Sequence, residues 1–313
     1  MIFLVLSVIT STLLNIILKA FSKFKINTFQ AIVVNYWVCT ITGGVIENYY
    51  TPLHVEAFKQ QWFISTILLG FSFIVLFNLM GWTAQKLGLT VVSVANKLSL
   101  IIPVSIAFMF MGEGVTVLKI VSILMALIAV VLVTFKRNNS DKKNVSNLFF
   151  LLPIVLFLGS GFNDSLVNYV VQSTGLVDAD KPKFVIWIFQ IAAILGLVIL
   201  LSQVILKKQK IELKNIIAGI CLGIPNYFSM YYLVKALADS GMQSTIVFPV
   251  NNVSIVIASA ISGIVLYKEK LTQLQIAGII IACIAIVLLS ITKGAFTLLQ
   301  ILHLVDYLLH RWF

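Results

Sequence analysis

Ten apolar stretches of about twenty residues, separated by short polar breaks, constrain this chain more than any other feature of its sequence. A helix of roughly 17–25 apolar residues is long enough to cross the hydrocarbon core of a bilayer. Of the 313 residues, 60% are hydrophobic and 11% charged, whereas soluble domains have about 45–50% apolar and about 25% charged residues. The sequence therefore predicts an all-α, polytopic membrane helical bundle. The predicted spans are 2–20, 29–47, 62–83, 90–111, 117–135, 148–171, 184–206, 215–237, 244–267 and 273–292.

The net charge of +11 has two interpretations, nucleic-acid binding and membrane topology. The basic residues lie in short clusters between apolar stretches, which is typical of membrane topology. We therefore expect the lipid bilayer as a partner, and no nucleic acid. Cys39, Cys221 and Cys283 lie in apolar stretches without CxxC spacing, which predicts packing residues and no disulfide or metal site. No cofactor is expected.

The longest polar break, residues 136–147, divides the chain into two five-span halves, 1–135 and 148–292. We interpret this break as a linker. The tail, residues 293–313, has polar residues three to four positions apart against an apolar face. That pattern predicts an amphipathic helix lying in the membrane interface.

The two halves resemble each other when the chain is shifted by 156 residues. The shift aligns three polar pairs: Asn96 with Asn252, Glu113 with Glu269, and Thr116 with Thr272. An odd number of spans leaves the second copy upside down relative to the first, so inverted repeats are predicted. Inverted repeats provide two packings that face opposite sides of the membrane, with a site at their interface. Duplication without alternating access is the alternative.

The loops that carry this repeat, 112–116 and 268–272, read Gly-Glu-Gly-Val-Thr and Lys-Glu-Lys-Leu-Thr. Each stands between the fourth and fifth span of its half. A Glu followed three residues later by Thr or Ser at this place resembles the EamA-like branch of the drug/metabolite transporter superfamily, and the resemblance covers residues 1 to about 292. It implies two EamA-like five-helix repeats and an exporter or exchanger of metabolites, amino acids or drugs in the cytoplasmic membrane.

The E-x-x-T loops also have a structural interpretation. Thr272 can cap the tenth span, with Gln275 completing a capping box and Glu269 near the positive end of that helix. Thr116 can do the same for the fifth span. A direct gating role for Glu113, Thr116, Glu269 and Thr272 is the alternative.

Two charged residues lie deep inside predicted spans, Lys97 about seven residues into the fourth span and Asp164 in the middle of the sixth. A charge within a bilayer is costly and usually marks a substrate or ion site. The two residues could pair across the bundle, either as a structural ion pair or with a role in binding substrate or a proton.

Polar and aromatic side chains on other spans complete a candidate solute cavity. Each carboxamide is equally consistent with hydrogen bonding between helices. Tyr227 and Tyr231 are four residues apart and share a helix face, which could stack an amine or serve as an interfacial anchor. Pro103, Pro225 and Pro249 predict kinks, and Pro249 is the candidate hinge. The carboxamides are Asn15, Asn35, Asn78, Asn96, Asn163, Asn168, Gln190, Asn226 and Asn252.

Transport is favoured over catalysis and over a channel. All three histidines lie outside the spans, there is no HExxH or GxSxG motif, and no selectivity element is visible. We therefore expect no enzyme but a carrier that exports or exchanges amino acids or related small polar metabolites. The alternatives are an antiporter of phosphorylated sugars or nucleotide sugars, which normally requires clustered Lys or Arg, and a cationic drug exporter. A homodimer is left open.

The distribution of Lys and Arg between the two faces predicts the orientation. The face with the linker collects 14 of these residues and the face with the termini collects 7. The positive-inside rule then places the linker in the cytoplasm and both termini outside. The family resemblance implies the opposite orientation.

Overall fold

The computed structural model describes residues 2–50, 55–110, 117–134, 151–173, 180–207, 210–239 and 244–291. These residues form helices and one 3₁₀ turn, Val55–Lys59, with no strand among them. The predicted linker and tail, and Glu113 and Thr116, lie outside the described residues. The helices are α1 (Ile2–Lys23), α2 (Thr28–Glu47), α3 (Phe63–Leu87), α4 (Leu89–Leu98), α5 (Ile101–Phe110), α6 (Val117–Thr134), α7 (Leu151–Ser173), α8 (Lys181–Lys207), α9 (Leu213–Asp239), α10 (Ser244–Tyr267) and α11 (Gln273–Ile291).

Six helices in the described ranges, α1, α2, α3, α8, α9 and α10, are long and apolar enough to cross a membrane. The described part of the chain is therefore all-helical, and its long apolar helices are those of a multi-pass membrane protein. The remaining helices coincide with other predicted apolar stretches, and their apolar segments within the described residues are shorter. The count of ten spans stays a prediction.

The predicted fourth span, 90–111, is not one regular helix. The structure has two helices there, α4 and α5, interrupted at Ser99 and Leu100. Pro103 lacks an N–H, so the Ser99 carbonyl cannot accept the regular helical hydrogen bond from four residues ahead. The Ile102 N–H donates to that carbonyl instead, at 2.9 Å, which closes a tighter turn. Thus a tight turn at Ser99 and Leu100 interrupts the helix where the proline kink was predicted.

The other two predicted kinks lie inside unbroken helices. Pro225 is within α9, and α10 runs through position 249 without interruption. The side chain of Pro249 lies outside the described set, and its role as a hinge stays a prediction.

The outward faces of the helices are apolar and the inner faces carry small and polar residues. On α6, Leu124 and Ile128 are exposed, whereas Ser122 is fully buried. Small residues allow helices to approach closely within a bilayer, and α6 packs against α11 through a cluster of fully buried alanines. These are Ala126, Ala129, Ala282 and Ala285.

Packing between the two halves of the chain builds the bundle. Helix α2 contacts α8 and α9, α1 contacts α9 and α10, and α3 contacts α7 and α8. Helix α4 packs against both α7 and α10, and α5 packs against α7. The break between α4 and α5 therefore faces α7, which carries Asp164.

Candidate functional site

The break between α4 and α5 brings together Ser99 and Asp164. The Ser99 hydroxyl is 3.0 Å from Asp164 Oδ2 and 2.6 Å from the Asn96 carbonyl oxygen, and it can donate to either. Ser99 is fully buried, and its contact with Asp164 places the carboxylate beside the helix interruption. The sequence analysis did not identify Ser99, although its position four residues before Pro103 marks it as the residue whose carbonyl loses its helical partner.

Lys97 lies in the last turn of α4, where the negative end of the helix dipole stabilises a cation. Its side chain and that of Asp164 are both half-buried, and the two charges interact electrostatically. Among the described residues, however, Lys97 forms no hydrogen bond and no ion pair within 4 Å. The two residues predicted to pair therefore lie at one site without a direct salt bridge.

Four of the predicted carboxamides form hydrogen bonds between helices. Asn15 Nδ2 donates to Ser259 Oγ at 3.1 Å, which joins α1 to α10. Asn226 Nδ2 donates to Asn35 Oδ1 at 3.1 Å, which joins α9 to α2. The Ser72 hydroxyl donates to Asn163 Oδ1, which joins α3 to α7. These residues therefore link helices in the structure, and a role in binding solute stays a prediction.

Several buried polar atoms have no hydrogen-bond partner within the described part of the protein. They include Asn35 Nδ2, Asn78 Oδ1 and Asn251 Oδ1. Leaving such an atom unpaired costs about 1–3 kcal/mol, and water or a ligand commonly supplies the missing partner.

Of the other predicted residues, Gln190 and Asn252 are buried and Asn96 is half-buried. The side chain of Asn168 lies outside the described set.

Tyr227 and Tyr231 share a face of α9, as predicted. Their ring centroids are 6.1 Å apart and their planes differ by 24°. Tyr227 is buried in the core, and a cation–π contact places Lys235 Nζ 5.9 Å from the Tyr231 ring centroid. The half-buried Tyr231 ring thus already contacts an ammonium group of the protein itself.

Glu269 occupies a place that the sequence did not predict. Its Oε1 and Oε2 accept hydrogen bonds from the Leu89 N–H at 3.0 and 3.2 Å, and Oε1 is 3.4 Å from Lys19 Nζ. The prediction placed Glu269 near the start of the tenth span, α11, but its carboxylate binds the N terminus of α4. Helix dipoles favour a carboxylate at such a terminus.

Two glycines make room for the Glu269 carboxylate. A Cβ atom at Gly88 would lie 2.8 Å from its oxygens, and a Cβ at Gly263 would lie 2.6 Å from Oε2. Gly88 also has a φ of +109°, in a region that side-chain-bearing residues rarely adopt. The start of α4 is therefore shaped to receive this carboxylate.

The predicted capping box at the start of α11 is confirmed. The Gln275 N–H donates to Thr272 Oγ1 at 3.2 Å, and the Thr272 N–H donates to Gln275 Oε1 at 3.0 Å. These reciprocal bonds satisfy two amide groups that the helix end leaves free.

A polar cleft of about 420 Å³ lies away from these residues, between the α1–α2 and α8–α9 connections. The Asn27 backbone N–H donates to Asn215 Oδ1, and the Gln30 backbone N–H donates to Asn27 Oδ1. Asn215 Nδ2 in turn donates to Gln30 Oε1, so the oxygens of all three carboxamides are already paired. The interruption between α4 and α5 is the stronger candidate for a functional site, because its charges lie within the helical bundle. The described ranges contain no cluster of three His, Cys, Asp or Glu residues that could hold a metal ion.

Comparison with known proteins assigns no function. No protein-family model matches the chain. An uncharacterized protein of Haemophilus influenzae is 26% identical over 287 residues, which cover 90% of this chain and 95% of that protein. The similarity therefore extends over nearly the full length of both proteins.

Proposed function

We propose that this protein is a secondary transporter that exports or exchanges small polar metabolites, such as amino acids, across the cytoplasmic membrane by alternating access. The observation that carries the proposal is the interrupted helix α4–α5 with Lys97 and Asp164 at the interruption. Transporters commonly build their sites from discontinuous helices, and ionisable residues within membrane segments usually mark the transport pathway.

Ten spans in two inverted repeats are part of the proposal, and the helix packing supports them. The repeat relates α1 to α7, α2 to α8, α3 to α9, α4–α5 to α10, and α6 to α11. Under this relation the contact between α2 and α9 corresponds to the contact between α8 and α3. The contact between α1 and α9 corresponds to that between α7 and α3. The contact between α1 and α10 corresponds to the contacts of α7 with α4 and α5. The pairs α2–α8, α4–α10 and α6–α11 correspond to themselves, as expected for helices beside a two-fold axis.

Residues at the α6–α11 contact support the same relation. Ala126 and Ala282 are aligned by the 156-residue shift, as are Ala129 and Ala285, and all four are fully buried at one interface. Equivalent positions of two repeats meet in this way when a two-fold axis passes between them.

A test of this proposal starts with purified protein and a thermal-shift screen of metabolites. Compounds that raise the melting temperature are then offered to proteoliposomes over a range of concentrations, with protein-free liposomes as the control. Saturable uptake is the expected result, because a carrier has a limited number of sites. Uptake that rises linearly with concentration supports a pore and contradicts the proposal.

A further inference from the structure

The polar cleft between the α1–α2 and α8–α9 connections contains positive charge that the protein does not neutralise. The cleft has a volume of about 420 Å³, and its lining includes Lys25, Lys210 and Glu212. Glu212 pairs with Lys214, whose Nζ lies 2.7 Å from Glu212 Oε2. Lys25 and Lys210 are exposed, and within the described ranges neither ammonium group has a hydrogen bond or an ion pair within 4 Å. The cleft therefore offers two unpaired cations to an anionic ligand.

Two helices begin at this cleft and add their positive ends to it. Helix α2 begins at Thr28 and α9 at Leu213, and the Asn27 N–H donates to Asn215 Oδ1 at 2.9 Å, which holds the two starts together. Helix N termini attract anions, because their first amide groups are free and the helix dipole is positive there. The half-buried Asn27 Nδ2 has no hydrogen-bond partner in the described part of the chain, so it can donate to a ligand in the cleft.

Lys25 has a backbone conformation that favours glycine. Its φ is +50°, and the N–H of the next residue, Ile26, donates to the Phe21 carbonyl at 2.9 Å. That bond belongs to a helix C-cap in which glycine usually occupies the position of Lys25, because a side chain is disfavoured there. Residues held in such conformations are concentrated at functional sites. Binding of a ligand by the Lys25 ammonium group accounts for a lysine at this strained position.

Apolar residues stand next to these lysines in the sequence. Phe24 precedes Lys25, and Ile211 and Leu213 follow Lys210; all three apolar side chains are exposed, and we call them the apolar flank. Apolar side chains beside free ammonium groups suit a ligand that has an anionic head and hydrocarbon chains. In the predicted topology both connections lie on the face with the linker, which the basic residues place in the cytoplasm. Anionic lipids of the cytoplasmic leaflet attract clustered Lys and Arg.

We propose that this cleft binds the phosphate group of an anionic phospholipid from the surrounding bilayer. Lys25, Lys210 and Asn27 Nδ2 hold the phosphate, and the acyl chains lie along the apolar flank. A free phosphate ion has the same anionic group but lacks the hydrocarbon chains, so the apolar flank favours the lipid. The bound lipid joins the start of α2 to the start of α9 and thereby stabilises the protein. This site is independent of the transported solute.

Titration of the purified protein in a neutral detergent tests the site. The probes are phosphatidylglycerol, which is anionic, phosphatidylcholine, whose phosphate is balanced by its own ammonium group, and inorganic phosphate. Native mass spectrometry gives the affinities, and the melting temperature reports stabilisation. Phosphatidylglycerol should bind at least about tenfold more tightly than phosphatidylcholine, because each of two lysines strengthens the attraction about fivefold. Inorganic phosphate that binds as tightly as phosphatidylglycerol would assign the cleft to a soluble anion and overturn the lipid site.

Two variants locate the binding in the cleft. Lys25→Gly and Lys210→Gln should each weaken phosphatidylglycerol binding about fivefold. Lys25→Gly should also leave the melting temperature of the lipid-free protein equal or higher, because glycine adopts a positive φ without strain. Lys268→Gly is the matched control: Lys268 is exposed and has a φ of +52°, but it does not line the cleft. This control should bind phosphatidylglycerol as the wild type does.

The control separates a site from a general effect of charge. Equal weakening by Lys25→Gly and Lys268→Gly would show that the whole basic face attracts anionic lipid, and it would overturn the site. Unchanged binding in both Lys25→Gly and Lys210→Gln would overturn it as well. Weaker binding confined to the two cleft variants, without a fall in the melting temperature of the lipid-free protein, is the result that supports it.

Discussion

Glu269 shows how one side chain connects distant parts of the chain. Its carboxylate joins the loop before α11 to the first amide of α4 and to Lys19 of α1. Lys19 Nζ also donates to the Gln85 carbonyl, at 3.4 Å, near the end of α3. The Glu269 and Lys19 side chains are only 14% and 17% exposed, so solvent screens their interaction less than it would at an open surface.

Replacement of Glu269 by Gln should therefore destabilise the protein. The substitution keeps the size of the side chain but removes the charge that Lys19 and the α4 N terminus bind, at an expected cost of about 1–2 kcal/mol. The measurement is the melting temperature of the purified protein. Glu212→Gln is the control, because Glu212 pairs with Lys214 at an exposed site where ion pairs contribute about 0–1 kcal/mol.

A double-mutant cycle identifies the cause. Lys19→Met alone should also lower the melting temperature, and the two substitutions together should cost less than the sum of the single effects, because they share one contact. Strict additivity, or equal effects of Glu269→Gln and Glu212→Gln, would show that the contact contributes nothing specific.

At the scale of helices, the α4–α5 break depends on Pro103. In Pro103→Ala the restored N–H can donate to the Ser99 carbonyl and join the two helices. We expect stability to be equal or higher and transport to fall at least about tenfold, because the turn that interrupts the helix beside Lys97 and Asp164 is lost. Hydrogen exchange at residues 99–103 reports the joined helix, and proteoliposome uptake reports the activity.

Pro225→Ala provides the matched control, since Pro225 lies inside the continuous helix α9 and its removal should leave uptake within about twofold of wild type. A Pro103→Ala variant with protected amides and unchanged uptake would show that the break has no part in transport.

The sequence predicted the positions of the helices well because long apolar stretches determine them. It also predicted the Thr272–Gln275 capping box, whose partners are three residues apart. Contacts between distant residues could not be predicted in this way: Glu269 is 180 residues from Leu89. The sequence also could not distinguish carboxamides that bind substrate from carboxamides that form hydrogen bonds to a neighbouring helix. The same Asn side chain can do either, and its surroundings in the packed bundle determine which.

At the scale of the whole molecule, the distribution of basic residues predicts the orientation. A single cysteine introduced at Asn139 should not react with an impermeant thiol reagent in intact cells, whereas one at Phe313 should react. The background for both is a variant without Cys39, Cys221 and Cys283. Labelling at position 139 without permeabilisation would show that the charge argument is wrong and that the termini are cytoplasmic.

Alternating access requires the whole molecule to change conformation, because one binding site must open to each side of the membrane in turn. A carrier of this kind returns faster with solute bound, so solute on one side accelerates movement from the other. A pore has no such coupling, since its two sides are open together.

Counterflow therefore tests the central claim most directly. Proteoliposomes are loaded with the unlabelled amino acid that gives the largest thermal shift and are diluted into a trace of the same compound in labelled form. The proposed mechanism predicts a transient accumulation of label above the outside concentration, which is absent from unloaded vesicles and from protein-free liposomes. Label that only equilibrates, at the same rate in loaded and unloaded vesicles, would contradict alternating access.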